Sequence, residues 1–278
     1  MTAASSIAPR TPGLRLRAYR AWRELRYQLR AALARPHAAP VFILGAQKSG
    51  TSAIAALLGK ATGLATTLDL HRELRRPTFQ GIPSGDLSFE RFIGLNRVDF
   101  SRPIIKEPNL TLFFDELRQR FPAARFAFVV RDPRDHIRSL LNRLKIPGDL
   151  PNLDLRGYSE VTPAWELVLD SAWAGIAGEH YIDRLAYRWR RMAETYLTHV
   201  NLFSPCRYED FRADKVGAIH RLAAELGLDA THDIRGDVDR PFERVGDHVV
   251  TPEAFFGSNL ERIVTICRDG MAAFRYDA

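Results

Sequence analysis

Cysteine is almost absent: the 278 residues hold only Cys206 and Cys267. Two thiols cannot staple a disulfide framework, and their separation lacks zinc-ligand spacing. Both are expected as small buried apolar residues in a reducing, cytoplasmic setting. No run of 18 apolar residues occurs, so no segment is expected to span a membrane. Acid is scarce at one end. Residues 1–40 hold eight arginines against Glu24 alone, so this segment accounts for the whole formal net charge of +7 and the remainder is neutral overall. The basic balance is therefore no argument for a nucleic-acid partner of the folded part, and no reader motif supports one.

Within that basic segment Leu14, Ala18, Trp22, Leu25, Leu29 and Ala32 recur at helical spacing, giving an apolar stripe flanked by arginines. Residues 1–39 thus read as a basic amphipathic helical extension. Such a stripe suits peripheral contact with an anionic membrane surface, docking on the chain's own domain or on a partner, or, as a weaker alternative, a transit peptide. Residues 40–278 read as one domain. Val41–Leu44 and 125–130 form apolar runs of the buried parallel-strand type, and 102–108 and 201–208 read as further strands. Helical stretches are expected over 50–61, 112–121, from Pro133 onward, over 180–199, over 215–226 and after Thr251-Pro-Glu253. Residues 146–178, broken by Pro147, Gly148, Pro151, Pro163, Gly175 and Gly178, read as an irregular excursion with short helices. Alternating strands and helices imply an α/β, three-layer, P-loop-like fold with a mainly parallel central sheet and helices on both faces.

The most informative stretch is Val41-Phe-Ile-Leu-Gly-Ala-Gln-Lys-Ser-Gly-Thr-Ser52, where an apolar strand runs into a small, hydroxyl-rich turn at the start of a helix. Backbone N–H groups and the helix dipole make such a turn a cradle for phosphate or sulfate. Gly45 and Gly50 have Walker A spacing, but Thr51 follows Gly50 and the lysine comes earlier, at Lys48. A second segment, Arg125-Phe-Ala-Phe-Val-Val-Arg-Asp-Pro-Arg-Asp-His-Ile-Arg-Ser139, ends another strand at Arg131. There Asp132 is set to cap the next helix, Pro133 suits its first position, and Ser139 lies within its first two turns.

Together these segments resemble the two nucleotide-binding motifs of sulfotransferases that use 3′-phosphoadenosine 5′-phosphosulfate (PAPS). The resemblance implies that Gln47, Lys48, Ser49, Gly50, Thr51 and Ser52 surround the 5′-phosphosulfate, and that Arg131 and Ser139 hold the 3′-phosphate. Arg207-Tyr-Glu-Asp-Phe211 resembles a run in which the tyrosine faces adenine, here Tyr208. Arg244-Val-Gly-Asp-His248 resembles the late glycine-bearing loop over the 3′-phosphate, with Arg244 as the contact. Two positions depart from the family: His248 and Ala53 stand where many members have tryptophan.

Sulfuryl transfer proceeds in line through a loose transition state, so catalysis is chiefly positioning and charge stabilisation. The resemblance gives Lys48 and Lys106 the leaving-group charge and requires no metal, and the sequence offers no evident carboxylate cluster for Mg²⁺. The histidine that often follows the second lysine is missing, because Glu107 and Pro108 stand there. A general base is sought in Asp69-Leu-His-Arg-Glu73, with His71 and Glu73 ahead of Asp69 and Glu107. The acceptor is expected to be a hydroxyl, less readily an amine, of a carbohydrate, lipid or small metabolite. Two other classes remain open: a nucleotide kinase or NTPase on a degenerate P-loop, and a non-catalytic nucleotide-binding, membrane-associated protein.

Overall fold

A computed structural model of the chain describes Trp22, residues 33–239 and residues 250–276. The basic helix expected over 1–39 lies mostly outside the described residues, and Arg244 lies wholly outside them. Strands β1 (Val41–Gly45), β2 (Thr66–Thr67), β3 (Ile104–Lys106), β4 (Arg125–Val130) and β5 (Phe203–Arg207) form one sheet. Their order is β2-β3-β1-β4-β5 and every neighbouring pair is parallel. Ile43 at the centre faces Lys106 on one side and Ala127 on the other, which fixes the register of the three strands that carry the site.

The helices are α1 (Thr51–Thr62), α2 (Phe89–Leu95), α3 (Arg97–Phe100), α4 (Phe114–Arg120), α5 (Pro133–Leu144), α6 (Pro163–Leu169), α7 (Tyr181–Thr198), α8 (Tyr208–Ala213), α9 (Lys215–Glu225), α10 (Pro252–Phe256) and α11 (Leu260–Ala273). Successive strand residues point to opposite faces, and both faces are apolar here. Val41, Ile43, Ala127 and Val129 pack with Ile54, Leu57 and Leu58 of α1 and Ile219 and Leu222 of α9. Phe42, Leu44, Phe126, Phe128 and Val130 pack the other way, onto Leu117 of α4, Ile137 and Leu140 of α5, Leu185 and Trp189 of α7 and Met271 of α11. The expected three layers are present.

Differences from the sequence reading have local causes. The strand expected over 102–108 shortens to β3, because Pro108 opens a 3-10 turn, Pro108–Phe113, that runs into α4. Tyr208 starts α8 instead of ending β5. Helices α2 and α3 fill a stretch with no clear periodicity; Ser88 caps α2 by accepting from the Arg91 N–H at 3.2 Å. Residues 146–178 form the expected irregular excursion, with α6 its only α-helix. Among the described residues no helix is long and apolar enough to cross a membrane. Cys206 and Cys267 are buried and unpaired, as expected.

Candidate active site

The C-terminal ends of β1, β3, β4 and β5 all open on one edge of the sheet, where ligands of open parallel sheets are bound. The loop after β1 needs its glycines. Gly45 has φ +127°, and a Cβ there would meet the Val129 carbonyl oxygen at 2.1 Å. Both the conformation and the contact refuse a side chain. Gly45→Ala is expected to cost about 2 kcal/mol in urea unfolding; unchanged stability would show that the strand pair can part without loss. Gly50 has φ +88°, and Lys48 adopts φ +67°, a conformation non-glycine residues keep only when their surroundings fix it.

Gly50 is also the N-cap of α1, and neither a capping side chain nor an acid in the first turn satisfies the opening amides. Ser49 is fully buried, and its Oγ has no hydrogen-bond partner among the described residues. A hydroxyl so enclosed is costly unless a ligand completes it. The residues therefore fit an anionic group, and the loop supplies amides, hydroxyls and Lys48 to hold it.

The second motif is joined to this loop directly. Asp132 caps α5 by accepting from the Arg134 N–H at 2.8 Å, with Pro133 in first position. Arg131, 4% exposed, donates from Nη1 to the Lys48 carbonyl at 3.0 Å. Its guanidinium lies over the Tyr208 ring, 4.6 Å from the centroid. The edge of that ring in turn occupies the place a Cβ on Gly50 would take, at 2.3 Å. No carboxylate stands within ion-pair distance of Arg131 among the described residues, and its Nε is unpartnered. Burial, partly opposed by Tyr208, Asp135 and Glu209, lowers its pKa. Ser139 is buried on α5, 7% exposed, on the same segment.

The other wall comes from β3. Lys106 donates to Asp69 Oδ1 at 2.6 Å; its own side chain is 5% exposed and that of Asp69 33%. Glu107 is buried, and its two oxygens accept the amides of Asn109 (3.1 Å) and Leu70 (3.4 Å). Burial, then the neighbouring Asp69, push its carboxyl up to about 7 against the pull of Lys106. Gln47, Lys48, Thr51, Asp69, Glu73, Lys106, Glu107 and Asn109 line one cavity of about 140 Å³. Its apolar side is Leu74, Pro77, Phe79 and, from α6, Trp165, Leu167 and Val168.

The expected base residues separate. Glu73 reaches the cavity, but its oxygens are taken by the Thr78 amide, the Thr78 hydroxyl at 2.9 Å and Asn96 Nδ2 at 3.1 Å. That makes it a tie between loop and helix. His71 is not among the lining residues; its backbone N–H donates to Asp99 Oδ2 at 3.0 Å. Asp69 and Glu107, ranked behind them from sequence, stand beside Lys106.

Three side chains at the site escaped the sequence reading. Asn109 takes Gln47 Nε2 on its Oδ1 at 2.8 Å. His136 on α5 is buried, with Nδ1 unpartnered. Burial, then Arg131 and Arg188, push its imidazole down to about 3, so it stays neutral. Arg188 is buried on α7 within the stripe Leu185, Trp189, Met192. An arginine three residues after Leu185 and four before Met192 was the available signal, since charge at a core-facing helix position calls for a partner.

No family model matches the chain, and no curated protein does. Among solved structures it is similar to mouse sulfotransferase SULT7A1 complexed with PAP (18% identity, 89% of this chain and 92% of that one, TM-score 0.49). It is also similar to sulfotransferase STF9 from Mycobacterium avium (12%, 92% and 81%, TM-score 0.49). A third likeness is the sulfotransferase domain of the Synechococcus PCC 7002 olefin synthase (15%, 88% and 97%, TM-score 0.48).

Proposed function

We propose that this protein is a sulfotransferase that uses PAPS to sulfate a hydroxyl, less readily an amine, of a carbohydrate, lipid or small-metabolite acceptor. The observation that carries the reading is Arg131: a buried cation without a carboxylate partner among the described residues, stacked on Tyr208 and tied to the Lys48 carbonyl. A buried, unneutralised guanidinium is unfavourable unless an anion completes it. Its place beside a second anion cradle calls for a ligand with two separated anionic groups, as in a 3′-phosphorylated adenosine phosphosulfate. A nucleotide kinase or NTPase would need a free carboxylate after β4, whereas Asp132 is committed to capping α5 and to Arg134, 2.7 Å away.

When bound, the donor supplies an activated sulfuryl group. Lys48 and Lys106 place positive charge at the leaving end. Asp69, the most open carboxylate of the cavity, takes the acceptor's proton, with Glu107 behind it. The side formed by Leu74, Phe79, Trp165 and Val168 favours an acceptor with an apolar body.

Calorimetric titration tests the donor. Adenosine 3′,5′-bisphosphate is expected to bind at least about 100-fold more tightly than ADP or ATP, and Arg131→Ala to erase that preference. Equal or tighter ATP binding, indifferent to Arg131, would sink the reading in favour of a kinase or NTPase.

A further inference from the structure

We propose that Arg188 is a positioning residue that locks the donor loop to the acceptor wall, so that occupancy of one stiffens the other. The inference rests on the sulfotransferase reading of the same site. Arg188 is 1% exposed in the middle of α7, 17 residues from Ser171 and 79 from Asn109. Its Nη1 donates to Ser171 Oγ at 2.7 Å and its Nη2 to Asn109 Oδ1 at 2.5 Å. Each partner leads to one side of the cavity. Ser171 is fully buried, and its hydroxyl donates to the Val168 carbonyl at 3.2 Å, at the end of the helix that contributes Trp165, Leu167 and Val168. Asn109 Oδ1 also receives Gln47 Nε2 at 2.8 Å, and Gln47 is the residue before Lys48. One planar fork thus spans a connected chain from α6 through Ser171, Arg188, Asn109 and Gln47 to the donor loop.

The arrangement is a poor way to gain stability. No carboxylate stands within ion-pair distance of Arg188 among the described residues, Glu107 acts on it only through space, and its Nε is unpartnered. Apolar residues of similar volume commonly do as well or better at such buried charged sites. What the guanidinium supplies is geometry: two donors in a rigid plane, held in a helix that packs on the core. A lysine could satisfy one limb and not both. Asn109 cannot rotate its amide without losing two donors at once, so its orientation is dictated by Arg188 and in turn orients Gln47.

Hydrogen–deuterium exchange of the full chain, with and without saturating adenosine 3′,5′-bisphosphate, tests this. In the unmodified chain the bisphosphate is expected to slow exchange over 46–52 and also, by about ten-fold, over 165–172, an ordinary size for coupling between sites. In Arg188→Met, and equally in Arg188→Lys, protection over 46–52 persists while that over 165–172 falls to within about two-fold of the free protein. Ser171→Ala cuts the limb toward α6 while leaving the guanidinium and its bond to Asn109 in place, and should reproduce the loss; it serves if Arg188→Met does not fold. Adding Arg188→Lys to Ser171→Ala should produce no further change, as two cuts in one chain require. Protection over 165–172 that survives in Arg188→Lys and Ser171→Ala, or that never develops in the unmodified chain although 46–52 is protected, overturns the proposal. Absence of any bisphosphate binding instead removes the donor reading beneath it, and the positioning role falls with it.

Discussion

Lys48→Ala is expected to lower turnover by about 1,000-fold, and Lys106→Met by about 100-fold, with cooperative unfolding retained in both. The transition state of sulfuryl transfer places growing negative charge on the leaving oxygen, and a cation held in an enclosed cavity acts on that charge more strongly than one in water. Lys48 sits in the cradle itself, at a strained φ of +67° that Ala inherits, so the comparison isolates the ammonium from the loop's conformation. Lys106 differs because it is already paired with Asp69 at 2.6 Å. Removing it leaves Asp69 beside Glu107 with no cation between them, and like carboxylates at close quarters raise each other's proton affinity. Because Asp69→Asn alone also removes the proposed base, the fall from Asp69→Asn to Lys106→Met/Asp69→Asn reads the lost cation free of the unpaired acid. Transfer from ³⁵S-labelled PAPS to a panel of phenols, alicyclic alcohols and simple sugars, with bisphosphate affinity measured alongside, supplies the readout. Turnover within about five-fold of the unmodified chain in Lys48→Ala would remove the lysine from the chemistry.

The turns after β1 and β4 were legible in the sequence for a physical reason: a tight strand-to-helix turn imposes residue types at fixed places. Gly45 and Gly50 must lack a Cβ, Asp132 and Pro133 must start a helix, and Arg131 must follow directly on a strand. These are local requirements, written within a dozen residues. The two central strands were legible as well, since strands buried on both faces are runs of apolar residues with no polar alternation; the two-residue edge strand Thr66–Thr67 has no such run and went unread. The cavity wall around β3 was not. Which carboxylate faces the cavity depends on tertiary contacts: Glu73 is drawn off by Thr78 and Asn96, while Asp69 meets Lys106 only because β2, which leads into it, lies beside β3. Arg188 and Asn109 belong to elements that read as a plain amphipathic helix and a turn, and their role arises from the packing of α7 across the loop after β3. Tyr208 shows both sides of this: its run is legible, yet its placement against Gly50 and beneath Arg131 is a tertiary fact.

Between pH 4.5 and pH 7 the unfolding free energy of Glu107→Gln should rise, relative to the unmodified chain, by on the order of 3 kcal/mol. In the folded protein the Glu107 carboxyl titrates at about 7, raised by burial and by Asp69 from its ordinary 4.5. Over that interval the folded chain holds a proton the unfolded chain has released, so stability falls as pH rises. His136 acts in the opposite sense. Its imidazole, buried and facing Arg131, Arg188 and Lys48, is held down to about 3 from an ordinary 6.5. Between those values the unfolded chain binds the extra proton, and stability rises with pH. From pH 4.5 to 6.5 the two slopes oppose and nearly cancel; Glu107 alone acts from 6.5 to 7, and His136 alone from 3 to 4.5. The unmodified chain should therefore be nearly flat in the middle with respect to these two groups, which conceals both. Removing either one exposes the other: Glu107→Gln gains stability steadily up to pH 6.5, while His136→Asn loses it from pH 4.5 to 7. Urea unfolding at pH 4.5, 5.5, 6.5 and 7.5 at constant ionic strength measures the differences. A gap between Glu107→Gln and the unmodified chain that stays constant with pH would mean that Glu107 ionises at its ordinary value, and that the cavity holds an additional negative charge at neutral pH.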